Sequence, residues 1–390
     1  MSVSLPFFSS RNALWTIAVL TGLVNVVLLC APALAHEFVT GQHLSTRFVG
    51  WMFSAEFAGY CLSGLIGRIL VPRGHWRRLA RGALLLAGAG NCLTAFVLPY
   101  AGLLLPVRLF AATAGTLVSV LCMASANVHP QRSHAFSAFL FGQCALGSAA
   151  LLAAAPLFAA VGIAHVFEGI AALDVLAVLL IRFLPDCGQS AGDDVSVLPS
   201  VRWAPWALLR WPAVVFFYIA LSAVWTFAGL LATRIGIGAI AAGEAFSVAS
   251  IMGMAGSALA GLSGRKLPLR TGILIGYGTL ALAIALFGLK MAIPFVLGVI
   301  FFKLAWPFLL PFVLLLLGKL DRQGEISAEF SFLAGAGLSL GPAIGGWLLS
   351  WGSSVLIVGS LMGMGASSIC LFVLEKNVRT FAGKECGATV

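Results

Sequence analysis

The sequence predicts an all-α membrane protein whose twelve transmembrane helices form two pseudo-symmetric six-helix bundles. Three observations predict it. Of the 390 residues, 61% are hydrophobic and 9% charged, whereas a soluble domain carries about 25% charged residues. The apolar residues fall into six blocks of roughly fifty, each long enough for two spans of about 20 residues. The basic residues gather between those blocks rather than within them.

The first block, 12–70, turns between His36 and Arg47. Its opening stretch ends in Ala31-Pro-Ala-Leu-Ala35, which resembles a signal-peptide cleavage site. Leu14 to Ala35 is nevertheless long enough to span, so it is expected to remain as span 1. The second block, 79–126, turns between Pro99 and Pro106, and the third, 133–184, between Pro156 and His165. The fourth and fifth, 210–264 and 268–318, turn at Arg234–Gly243 and Lys290–Pro294. The sixth, 326–375, turns at Trp351–Ser354. Twelve spans in six hairpins follow.

Of the 23 lysines and arginines, 18 lie in the tails and between-block segments, while Arg47, Arg234 and Lys290 lie in mid-block turns. Positive charge marks the cytoplasmic side, so both termini are expected in the cytoplasm. Residues 1–184 would form one bundle, 185–209 a central cytoplasmic loop, and 210–390 the second bundle with a short tail. Arg202, Trp203, Trp206, Arg210 and Trp211 close that loop as an interfacial anchor for span 7.

The two halves repeat. Gly64-Leu-Ile-Gly-Arg68 and then Arg73-Gly74-His-Trp-Arg77-Arg78 follow span 2, while Gly256 to Gly264-Arg265-Lys266 follows span 8. Here the chain resembles the major facilitator superfamily, whose signature loop, roughly G-x-x-x-D-x-x-G-R-K, lies between spans 2 and 3 with a weaker copy between 8 and 9. The second copy carries Gly256, Gly264, Arg265 and Lys266, with Gly261 at the acidic position; neither copy has the aspartate. A second signature, G-x-x-x-G-P-x-x-G-G, is met by Gly337, Gly341, Pro342, Gly345 and Gly346 on span 11. The family carries it on span 5 of proton-coupled drug exporters. Span 5 here has the looser Gly142-Gln-Cys-Ala-Leu-Gly147. Small residues let membrane helices approach closely, and the resemblance implies that spans 5 and 11 line the contact between the halves.

Ionisable residues inside spans cost roughly 2.5–3.5 kcal/mol on insertion scales, so each is a candidate for function. Lys303 on span 10, with Trp306 beside it, is expected to line a substrate cavity. Arg108 on span 4 heads a stripe with Ala112, Gly115 and Ser119, and either lines that cavity or reaches outward to the interface. Glu56 on span 2 is the favoured proton carrier, or else a structural partner of Arg108 or Lys303; Asp174 on span 6 is the second carrier. Asn25, Gln143, Ser222 and Trp225 are polar or aromatic residues on the remaining cavity spans. Glu329, at the start of span 11, is a candidate latch to Arg68 or Arg73.

The six histidines and eight cysteines form no metal-ligand spacing, no nucleophile–base set points to an enzyme, and no cofactor is implied. The net charge of +10 is spread along loops rather than gathered for nucleic acid. The resemblance implies a secondary active transporter of the inner membrane, acting as a monomer in the bilayer. Its substrate would be a small amphiphilic organic anion or zwitterion. Protons are the default coupling ion, with export favoured over import of an organic acid; a transporter-derived receptor is the alternative from another class.

Overall fold

The computed structural model describes residues 11–186, 205–263, 267–318 and 325–387. Its regular elements are all helical among those residues. By their contacts the residues group into two compact units, Met1–Gly192 with Gly238–Ser247, and Asp193–Ile237 with Val248–Val390. The sequence places the division at 185–209; the contact grouping also moves Gly238–Ser247 to the first unit.

Span 1 is broken rather than continuous. It forms α1 (Arg11–Val24), the single turn α2 (Val26–Leu29) and α3 (Ala31–Thr40). Asn25 (φ −101°, ψ 5°) and Cys30 (φ −91°, ψ 11°) interrupt it. Pro32 lacks a backbone N–H and fits only the first turn of a helix, so a new helix starts there. Asn25 Nδ2 donates to the Thr21 carbonyl at 2.7 Å, which satisfies an acceptor beside the break.

Helix α4 (Thr46–Leu70) is capped by Ser45, whose side chain accepts from the Phe48 N–H at 3.2 Å. A 3₁₀ turn over Val71–Arg73 leads through Gly74 (φ 75°) and His75 (φ 60°) into α5 (Trp76–Val97). Helix α6 (Ala101–Val128) contains Pro106. Helix α7 (Arg132–Ala177) continues as 3₁₀ to Phe183, 52 residues in all. At about 1.5 Å per residue that is more than twice the roughly 30 Å hydrocarbon core. Its one non-helical residue is Gly162 (φ 79°, ψ 161°), a conformation open to glycine and strained for other residues. Two helical arms therefore meet at Gly162.

The second unit holds α8 (Arg210–Arg234), most of α9 (Ala239–Ser263), α10 (Leu269–Phe287), α11 (Ala292–Gly318), α12 (Glu325–Trp351) and α13 (Ser353–Gly387). Among the described residues nine helices are long and apolar enough to cross a membrane, with Arg132–Phe183 taken as one. Large apolar side chains point outward, Ile293 at 76% and Leu262 at 74% exposure. Such a surface suits lipid, and the chain is a multi-pass membrane protein.

Packing repeats between the units. In the first, α1 packs on α7, α4 on α6, and α5 on both α6 and α7. In the second, α8 packs on α12 and α13, and α10 on α11 and α13. Glycines set the close approaches: a Cβ at Gly59 would lie 2.9 Å from the Leu109 carbonyl, and one at Gly256 would lie 2.0 Å from the Leu304 carbonyl.

The glycine signature on span 11 serves the interior of its own unit. A Cβ at Gly337 would stand 2.7 Å from the Val215 carbonyl, and one at Gly345 would stand 2.9 Å from Ala223 Cβ. At Gly341 it would fall 1.8 Å from Ser222 Oγ. These three glycines face α8, whereas the sequence reading assigns their stripe to a surface between the halves. The reason is spacing: residues four apart share a helix face, and this face is taken by α8. Pro342 and Gly346 are buried, and α12 runs unbroken through Pro342.

Gly341→Val must push α12 away from α8, and overpacking of this kind costs about 1–3 kcal/mol. Gly64→Ala, where a Cβ meets nothing within 4 Å, is the control. Thermal unfolding of the purified protein should show a lowered midpoint for the first variant alone.

Candidate functional site

Two clusters stand out, one in each unit. In the first unit Arg108 on α6 is 2% exposed. Its Nε donates to Glu56 Oε2 at 2.8 Å and its Nη2 to Oε1 at 2.9 Å. Nη1 donates to Asn91 Oδ1 at 2.8 Å and to Thr94 Oγ1 at 3.2 Å. The Phe167 ring covers one face of the guanidinium, 5.0 Å from Cζ to the centroid. A bidentate Arg–carboxylate pair is the strongest form of this contact, and the added hydrogen bonds are what a buried pair needs. Arg108 therefore does not reach outward, although Pro106 sits only two residues away. A partner inside the bundle spares it the trip to water.

The network continues. Asn91 Nδ2 donates to Asp174 Oδ2 at 2.8 Å, so one amide joins the Arg108–Glu56 pair on α6 and α4 to a carboxyl on α7. Asp174 is 1% exposed, and its Oδ1 has no hydrogen-bond partner among the described residues. One guanidinium thus faces two carboxyl groups, and the cluster is neutral only with one proton bound. Asn91 and Thr94 are absent from the candidates read from sequence. The rule that flagged Glu56 covers ionisable residues; widened to any polar residue inside an apolar span, it finds Asn91 as well.

The cluster in the second unit is built around Lys303 on α11. Its Nζ lies 3.6 Å from the centroid of the Trp225 ring on α8 and 5.8 Å from that of Trp306. Phe302 stacks on Trp225 with the planes 8° apart, and Tyr218 meets Trp306 edge-on at 6.4 Å. A cation against an aromatic face is attracted by the ring's negative centre. The pairing expected of Lys303 with Trp306 is present, and Trp225 makes the closer contact. Periodicity within one helix cannot show a contact made across to α8.

Other candidates take plainer places. Asn25 bonds to Thr21 and, at 3.2 Å, to Ser119 Oγ on α6, which makes it a helix–helix tie. Ser222 Oγ donates to the Tyr218 carbonyl at 2.8 Å. Gln143 is half-buried on α7, and Arg68 and Arg73 are exposed where α4 ends. Gly264, Arg265 and Lys266 lie outside the described residues, as does the side chain of Glu329. In the second unit Tyr277 Oη and Ser367 Oγ are 2.7 Å apart, and Ser367 donates to the Ala213 carbonyl at 2.5 Å.

No protein-family model matches the sequence, and neither does any curated protein. Solved structures do. The nucleoside transporter NupG is similar at TM-score 0.73 and 14% identity, covering 94% of this chain and 98% of its own. A bacterial homologue of the human lysosomal transporter Spinster, inward-facing and occupied, gives 0.70 at 14% identity over 97% of each chain. A D-xylose–proton symporter gives 0.67 at 16% identity, covering 94% of this chain and 96% of its own. The chain has the major facilitator fold, and these neighbours are transporters rather than enzymes.

Asn91→Leu would strip a partner from both Arg108 and Asp174. Each orphaned buried group costs about 1–3 kcal/mol, more when charged, so a loss of about 3 kcal/mol or more is expected in denaturant unfolding. Thr94→Val, which removes one longer contact, should cost about 1 kcal/mol. Equal losses in the two variants would contradict the bridging role.

Proposed function

We propose that the chain is a secondary active transporter that moves a small amphiphilic organic anion or zwitterion by alternating access. It would cross the inner membrane twelve times, with both termini in the cytoplasm. The count takes α1–α3 as one broken span, α4 as the second, and α7 as two. The two bundles would comprise residues 1–184 and 210–390, joined by the loop 185–209. Export is the direction we take, on the lipophilic character of the aromatic wall.

The observation that carries this reading is Lys303 held over Trp225 with Trp306 beside it, in a fold shared with transporters. A primary ammonium in an aromatic wall offers one charge to a carboxylate or phosphate and flat apolar surface to the rest of the molecule. Arg108 is held within its ion pair and is assigned no substrate contact. Protons are the proposed coupling ion. Glu56 engages Arg108 through both oxygens, so the carrier role passes to Asp174, the carboxyl that has no cation of its own in the network.

The test is substrate-induced pH change in proteoliposomes over a panel of organic acids, zwitterions and neutral analogues. Active compounds should carry a negative group. Lys303→Gln should raise their KM by about 10- to 100-fold, the worth of a charge-assisted hydrogen bond. Asp174→Asn should leave substrate binding in place while proton movement stops. Preference for neutral compounds, or full coupling in the asparagine variant, would count against these assignments.

A further inference from the structure

A groove of about 690 Å³ opens on the first unit, where α4 and α5 diverge over α6. Its mouth carries Arg73, His75 and Arg78, all exposed. Its interior is apolar, with Leu70, Leu79, Leu86, Phe110 and Leu117 among the lining residues, and none of those residues is acidic. Apart from Arg73, a candidate latch partner of Glu329, its lining residues take no part in the transport reading or in the two clusters described above.

Three features shape it. Arg78, Leu79, Gly82, Ala83 and Leu86 recur at three- and four-residue spacing, so one face of α5 forms a wall. From Arg78 to Leu86 that wall runs about 12 Å at 1.5 Å per residue, most of one leaflet of a roughly 30 Å core. Gly82 leaves the space open, since a Cβ there would meet nothing within 4 Å. The turn before α5 holds the mouth in place. Trp76 Nε1 donates to the Val71 carbonyl at 2.8 Å, the Arg77 guanidinium donates through Nε to the Leu184 carbonyl at 2.6 Å, and the Arg77 backbone N–H donates to Asp186 Oδ1 at 3.3 Å. Arg73 and Arg78 are left to face the groove.

We propose that this groove binds one two-chain anionic phospholipid, its phosphate at Arg73 and Arg78 and an acyl chain along the wall past Gly82. Charge complementarity selects this occupant. The guanidiniums sit where the polypeptide leaves the hydrocarbon, with a slot one leaflet deep behind them. A zwitterionic lipid would set its own cation against the two arginines. A soluble anion would leave the apolar slot unfilled. Basic pockets between membrane helices on the cytoplasmic side recognise anionic headgroups in this way.

The test uses native mass spectrometry of the full chain released from detergent with equimolar dioleoyl-phosphatidylglycerol and dioleoyl-phosphatidylcholine. Each arginine near an anionic surface is worth about fivefold in affinity, so the wild type should retain one phosphatidylglycerol about 25-fold in preference to phosphatidylcholine. Arg73→Gln/Arg78→Gln should bring the two lipids to parity, and Arg73→Lys/Arg78→Lys should keep most of the preference. Gly82→Leu should weaken retention of both lipids while the thermal midpoint stays at the wild-type value, because its side chain enters open space. Equal retention of the two lipids by the wild type, or a preference that survives the glutamine pair, would overturn the proposal. So would unchanged retention in the leucine variant, or displacement of the lipid by inorganic phosphate.

Discussion

A guanidinium in the middle of a hydrocarbon-embedded bundle imposes the strictest constraint in this molecule. It cannot be left without partners, because an uncompensated buried charge costs about 3–5 kcal/mol when its partner is removed. Arg108 is satisfied only when α4 brings Glu56, α5 brings Asn91 and Thr94, and α7 brings Phe167 to it. Four helices are thereby fixed around one side chain. The small residues of α4 and α5 follow from the same demand: Gly59 and Gly90 let both helices close on α6 beside the ion pair.

The second unit answers the same solvent differently. Its described polar contacts are largely neutral, through Tyr277, Ser367 and the Ala213 carbonyl. Close contact of α8 with α12 comes from glycine rather than from charge. Lys303, on α11, lies against aromatic faces, and Arg210, buried at the start of α8, donates to the Ala207 carbonyl. The two units therefore share a packing scheme but divide the chemistry. One concentrates a charge network with two carboxyl groups to one guanidinium. The other presents a cation in an aromatic wall, and the proposed division of coupling from substrate recognition rests on that difference.

The fold was largely legible in the sequence because lipid enforces simple rules. Apolar blocks, turn residues and the basic segments between them mark helix ends without reference to tertiary contacts. The departures have local causes. Pro32 and Asn25 break span 1, and Gly162, in a non-helical conformation, kinks α7. The candidate residues were legible as polar groups in apolar surroundings, yet their partners were not. Glu56 and Arg108 lie 52 residues apart in sequence, and no periodicity within one helix encodes which neighbour it will face. The glycine signature shows the same limit: its spacing announces a tight interface, but α8 as the partner emerges only from the packed structure.

The claim beneath this account is that charge compensation between Glu56 and Arg108 holds the first unit together. A double-mutant cycle measures it directly, with Glu56→Gln, Arg108→Gln and the pair compared by denaturant unfolding in lipid-like micelles. The account predicts that each single variant loses about 3–5 kcal/mol. The double variant should lose well under their sum, a coupling of about 2–3 kcal/mol. Losses that add to within about 0.5 kcal/mol would mean that the two side chains act independently, and would contradict it.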